Sequence, residues 1–324
     1  MNSNDVMAEQ LPLFEDKGAL LNRGVLELTR LNLEEAKEAF ERYKALYPGK
    51  ADVDTELKLT DFLIDGFARA PKEGPEAPAY LCNLWQAFED FRQSMGFSHH
   101  NIVLEARLSF FRRTVEAIDQ CDMAEAPFLS DAVPTGYVYI QTGQYDKAIK
   151  ALQACVPVKP HDAAIYGYLG DAYMLRGEPG VARQCYLEAC LIDPAGIDWD
   201  HMKDHALLSL RDQISKQLGS ENTLEWLASH GYIENLFPPK IMRLNEGIKE
   251  FVDEYLALQK AFFKTPTNQL GAKLFLRGMI LCDNEPLLRF VKRVNFIDVR
   301  KQMKDTNPAL FSKYLKRVDR IKRP

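Results

Sequence analysis

The stretch DAAIYGYLGDAYMLRGEPGVARQCYLEACLIDP, residues 162–194, places small and aromatic residues where two crossing helices need them, with a glycine where the first helix must end. Small Gly170 lets the first helix approach its partner, Ala182 allows a close crossing on the second, and Tyr173 fills the space between successive hairpins. Gly177 stops the first helix and Pro194 the second. The same residues recur 34 positions earlier: Gly136 pairs with Gly170, Tyr139 with Tyr173, Gly143 with Gly177, Ala148 with Ala182 and Pro160 with Pro194. A fixed period of this length marks stacked supersecondary units, each burying its face against its neighbours.

On these residues the units 129–162 and 163–196 resemble the tetratricopeptide repeat family. The same template laid on LLNRGVLELTRLNLEEAKEAFERYKALYP, within 17–50, finds Gly24, Ala36, Phe40 and Pro48 in register, with Glu27 where the repeat expects Tyr and Leu31 where it expects Gly. This reads as a degenerate repeat, and Asn32 with Glu35 as a capping box ahead of its second helix. The spacing from residue 17 to residue 129 is not a multiple of 34, so irregular helices are expected between them. The resemblance implies an all-α fold of stacked antiparallel hairpins, a right-handed solenoid with helical flanking layers. The expected organisation is a flexible tail at 1–16, a helical region with the degenerate hairpin at 17–126, two repeats at 127–196 and a helical region with a basic end at 197–324. The stretch APKEGPEAP, 70–78, reads as a loop or loose linker, and Pro134 forces a late start or a kink in the first helix of its repeat.

Carried over by position, the groove of such repeats falls on Ser130, Val133, Tyr137, Ile140 and Gln141 in the first unit. In the second it falls on Ala164, Gly167, Asp171, Met174 and Leu175. Family members that clamp a terminal carboxylate use Lys and Asn at sites where this chain has Val133, Tyr137, Gly167 and Asp171, so that clamp is not expected. The resemblance implies a non-enzymatic adaptor that binds a partner peptide or helix in a mostly apolar groove, with Met174 as an adaptable contact, unless the chain's own helices fill that groove. No cofactor is expected.

Outside the repeats, no run approaches the roughly 18 apolar residues of a membrane span. The start MNSNDVMAEQ lacks a secretory signature, which places the expected location in the cytoplasm. Six cysteines without a C-x-x-C pair read as buried thiols. Gln10-Leu11-Pro12-Leu13-Phe14 resembles the motif by which bacterial replication and repair proteins dock on the DNA sliding clamp. Residues 287–324 hold 12 Lys/Arg against 3 Asp/Glu in a chain of net charge −5. Arg293, Arg300, Lys301, Lys316, Arg317 and Arg320 at that end would suit phosphate contacts, so a DNA-maintenance accessory factor is the alternative reading. His201 and His205, four apart in IDWDHMKDH, are the weak metal candidate, with Asp200 equally readable as a helix cap. The other histidines read as surface or loop residues.

Overall fold

The computed structural model describes residues 17–48, 53–97, 99–242, 246–289 and 293–322. The described residues form sixteen α-helices and one two-residue-deep hairpin of strand, in two compact units divided between Gln144 and Tyr145. That division falls inside the 129–162 repeat.

The first unit contains α1 (Lys17–Thr29), α2 (Leu33–Leu46), α3 (Asp54–Ala68), α4 (Glu76–Ser94), α5 (His100–Gln120), β1 (Phe128–Ser130), β2 (Val133–Pro134) and α6 (Thr135–Gln141). Its helices pack in consecutive pairs, and α5 also returns against α1, where Arg113 Nη2 donates to Leu31 O at 3.0 Å. The core gathers Phe40, Tyr43, Trp85, Phe110 and Phe111. The 70–78 stretch contains the loop that joins α3 to α4 inside this unit, its last residues opening α4, and Cys121 Sγ donates to Gly74 O at 3.1 Å.

The degenerate repeat keeps the geometry of the well-formed one. A Cβ on Gly24 would lie 2.5 Å from the Phe40 ring, and one on Gly170 would lie 2.3 Å from the Tyr186 ring, at the same sequence spacing. The turn is also shared. Gly143 and Gly177 have φ of 75° and 91°, and the following amides, Gln144 and Glu178, each donate 2.9 Å back to Tyr139 O and Tyr173 O. Leu31 adopts φ 60° and Asn32 N donates 2.9 Å to Glu27 O, the same left-handed cap without glycine. Burial of the Leu31 side chain to 2% exposure offsets the steric cost, about 1–2 kcal/mol for an L-residue in that region. The capping box does not form: Asn32 stands at the N-cap, but its Nδ2 donates to Glu27 Oε2 at 2.7 Å.

In the 129–162 unit the first helix starts late, as Pro134 requires. Pro134 is extended (φ −70°, ψ 136°) and caps a seven-residue α6. The residues before it form the antiparallel β1–β2 pair, so Ser130 and Val133 lie on strands rather than on a groove helix.

The second unit contains α7 (Tyr145–Cys155), α8 (Ala163–Leu175), α9 (Pro179–Ile192), a single 3₁₀ turn (Pro194–Gly196), α10 (His205–Leu218), α11 (Ser220–Ile233), α12 (Glu246–Lys264), α13 (Asn268–Asp283), α14 (Glu285–Leu288), α15 (Phe296–Thr306) and α16 (Pro308–Lys322). α7, α8 and α9 stack in order, and Gln153 Nε2 donates to Tyr173 OH at 3.0 Å across the α7–α8 contact. Beyond the repeat, α13 is the central element. It is buried continuously from Leu274 to Cys282 and packs against α9, α11, α12 and α15.

Candidate functional site

On α8 the face expected to line a groove is covered by the chain itself. A Cβ on Gly167 would sit 3.4 Å from Ile197, and Tyr168 OH donates to Asp198 Oδ2 at 2.7 Å. The buried Asp171 carboxylate accepts from Tyr186 OH at 2.7 Å and from the Lys203 amide at 2.8 Å. Segment 197–203 therefore occupies this face, leaving Ala164 and Met174 half-buried and Leu175 exposed. On α6, Ile140 is buried, Gln141 is half-buried, and Tyr137 is half-buried with its ring edge-on to Phe111 at 5.7 Å. The ten positions are split, five in each unit.

Burial pushes the Asp171 carboxyl up to about 7, against the opposing pull of its two hydrogen bonds. Its folded value thus exceeds the ordinary one, so the folded state binds the extra proton between about pH 4 and 7, and stability falls as pH rises through that window. His230 works in the opposite sense. It is buried in α11 rather than on the surface, and burial holds it down to about 4, so stability is lost as pH falls from 6.5 toward that value. Asp171→Asn is expected to isolate the first effect. The wild type minus variant difference in urea midpoint should become less favourable to the wild type from pH 5 to pH 8; a difference independent of pH would mean that Asp171 is already charged at pH 5.

The metal candidate does not assemble. His201 lies in the turn before α10 and His205 opens that helix, so they share no helical face, and His201 Nδ1 stands 2.9 Å from Asp198 Oδ2. The helix cap is Asp204, not Asp200: its Oδ1 accepts from the amides of Ala206 and Leu207 at 2.9 and 3.3 Å. Among the described residues no three His, Cys, Asp or Glu side chains converge as a ligand set. Five cysteines are buried and Cys121 half-buried; burial raises the thiols of Cys82, Cys185, Cys190 and Cys282 to about 12. They are not poised as nucleophiles.

The basic end is half consumed internally. Arg293 pairs with Asp253, Arg300 with Glu285, and Arg317, 4% exposed, with Asp283 at 2.8 Å. Lys301, Lys316 and Arg320 are exposed on α15 and α16. The clamp-like residues Gln10, Leu11, Leu13 and Phe14 lie outside the described residues.

A broad concavity lies wholly within the second unit, a cleft of about 1200 Å³ among α9, α12 and α13. Leu191 and Ile192 line one wall, Leu258 and Ala261 of α12 another, and Ile241, 83% exposed, stands at the mouth. Lys273 and Arg277 reach it from α13. No repeat or motif in the sequence marks this cleft. Its one signal is Arg277 itself, a single charge inside the apolar run LFLRGMILC, 274–282.

The described residues form helical hairpins, and in the second unit further helices follow the 163–196 repeat in sequence. The chain matches a tetratricopeptide repeat family model over residues 134–197 and a second such model over residues 19–50. It carries tetratricopeptide repeats at both places, and repeats of this kind imply protein partners. A search of curated proteins finds no match. Among the described residues no helix is long and apolar enough to cross a membrane.

Proposed function

We propose that this protein is a non-catalytic scaffold that binds a protein partner, and that the partner seats in the α9–α12–α13 cleft of the second unit. The observation that carries this is the closure of the α8 face by residues 197–203, beside an open cleft with an exposed apolar rim. Repeat helices supply one wall, since α9 is the second helix of the 163–196 repeat. An exposed isoleucine beside half-buried Leu258 offers apolar area that a partner would remove from water, at roughly 25 cal/mol per Å².

Affinity capture with the intact chain tests this. The pair Ile241→Asp and Leu258→Asp is expected to reduce recovery of a partner by about tenfold or more, with the thermal midpoint retained. Equal recovery would sink the proposal, and a loss with Tyr137→Glu and Met174→Glu instead would place the partner on the α6 and α8 faces. The alternative, a DNA accessory factor tethered to a sliding clamp, draws on Lys301, Lys316 and Arg320 and on a cavity of about 390 Å³ lined by Lys313, Lys316, Arg317 and Arg320 together with Ile233, Glu234 and Asn235. It has less support, because half of the named basic residues already serve internal ion pairs.

A further inference from the structure

Gln269, Lys273 and Arg277 recur at four-residue intervals on α13 and so form one stripe along that helix. All three line both the broad cleft and an adjoining pocket of about 150 Å³. Arg277 is 8% exposed. Its Nη2 donates to Leu191 O at 2.9 Å and to Glu254 Oε2 at 3.2 Å, while its Nε and Nη1 have no hydrogen-bond partner among the described residues. Lys273, one turn earlier and half-buried, forms no ion pair among the described residues. Buried donors left unmatched are costly, and those of a charged group most of all, so an acceptor able to reach these atoms from the cleft is favoured.

The acids on the walls narrow what that acceptor is. Glu254 is spent on Nη2, Glu188 pairs with Lys240, and Asp193 accepts from the Ala195 amide at 3.3 Å. Glu250 adds a further negative charge on α12. A strongly acidic ligand would be repelled by this rim, whereas one carboxylate placed between Lys273 and Arg277 meets two cations, of which Arg277 is shared with Glu254. Ile192, Ile241 and Leu258 add apolar surface to the lining, beside His161 and Tyr166.

We infer that the cleft receives a partner segment in which a single Asp or Glu side chain is flanked by apolar residues, its carboxylate accepting from Arg277 and Lys273. This rests on the cleft being the partner site and names the chemistry read there. The test is selection of random displayed peptides of about a dozen residues on the intact chain, followed by binding of the enriched peptides to variants. Enriched peptides are expected to carry one acid amid Leu, Ile or Phe. Arg277→Gln and Lys273→Met are each expected to weaken them by about tenfold or more, as is Asp→Asn or Glu→Gln in the peptide. Lys273→Met, which removes no hydrogen bond among the described residues, keeps the result readable should Arg277→Gln lower the melting temperature. Peptides without an acid, lost on Ile241→Asp yet indifferent to Lys273→Met and Arg277→Gln, would overturn the carboxylate reading and leave the cleft as the partner site. Failure to enrich any peptide sensitive to Ile241→Asp would overturn both. A concentration-dependent dimer abolished by Arg277→Gln would put a second copy of the chain in the cleft and overturn the peptide assignment.

Discussion

Asp283→Ala is expected to destabilise the second unit by about 3–5 kcal/mol, the cost of removing one member of a buried ion pair and stranding the other. Asp283 ends α13 and joins three groups from two other helices. Arg317 Nη1 donates to it at 2.8 Å, and Tyr232 OH and Tyr314 OH each donate at 2.9 Å. The Arg317 side chain is 3% exposed, lies over the Tyr232 ring at 4.7 Å, and is further held by Asn235 Oδ1 at 3.0 Å. Burial and then the Asp283 charge raise both phenols above their ordinary range, so each hydroxyl remains a donor to the carboxylate. Losing the carboxylate leaves a guanidinium and two hydroxyls with too few acceptors, and α16 should loosen from α11. Urea titration gives the size of the loss, and amide exchange along α16 shows where it falls. A loss below about 1 kcal/mol would give this pair the weight of an exposed surface bridge.

The two repeat regions were legible because their requirements are local. Gly170, Ala182 and Pro194 act on backbones within one hairpin, and a 34-residue period displays them twice. The echo at 17–50 was legible for the same reason, and Leu31 shows how a residue outside the pattern adopts the glycine conformation when its side chain is buried in return. Pro134 announced a disturbed helix, but the β1–β2 pair that replaces its first turns was not readable from a segment with no alternating pattern. The Asp283–Arg317 pair and the Leu191–Arg277 bond join residues far apart in the chain, and no periodicity carries such partners. Nor did the repeat template reveal that residues 197–203 cover α8. Gly167 and Asp171 were read as groove positions, and the side chain that covers one and the amide that binds the other come from beyond the repeat boundary.

Gly170→Val tests the packing that links the repeat to that covering segment. A Cβ at position 170 would stand 2.3 Å from Cε1 and 2.5 Å from Cδ1 of Tyr186, distances at which something must move. The ring has no free path. Tyr186 is fully buried in α9, and its hydroxyl is held at 2.7 Å by Asp171, which also holds the Lys203 amide. Moving the ring therefore breaks the Tyr186–Asp171 bond, and moving Asp171 releases segment 197–203 from α8. The expected loss is at or above the roughly 3 kcal/mol upper end of ordinary overpacking, because a branched side chain adds volume where even one carbon does not fit. Gly180→Ala is the matched control. It lies in the first turn of α9 with nothing within 4 Å of the new Cβ, so its effect should stay within about 1 kcal/mol and favour the helix if it shifts at all. Thermal or urea unfolding of both variants separates the two outcomes. Equal midpoints for Gly170→Val and Gly180→Ala would mean that the α8–α9 crossing relaxes freely, and the register shared by Gly24 with Phe40 and Gly170 with Tyr186 would then owe nothing to close approach.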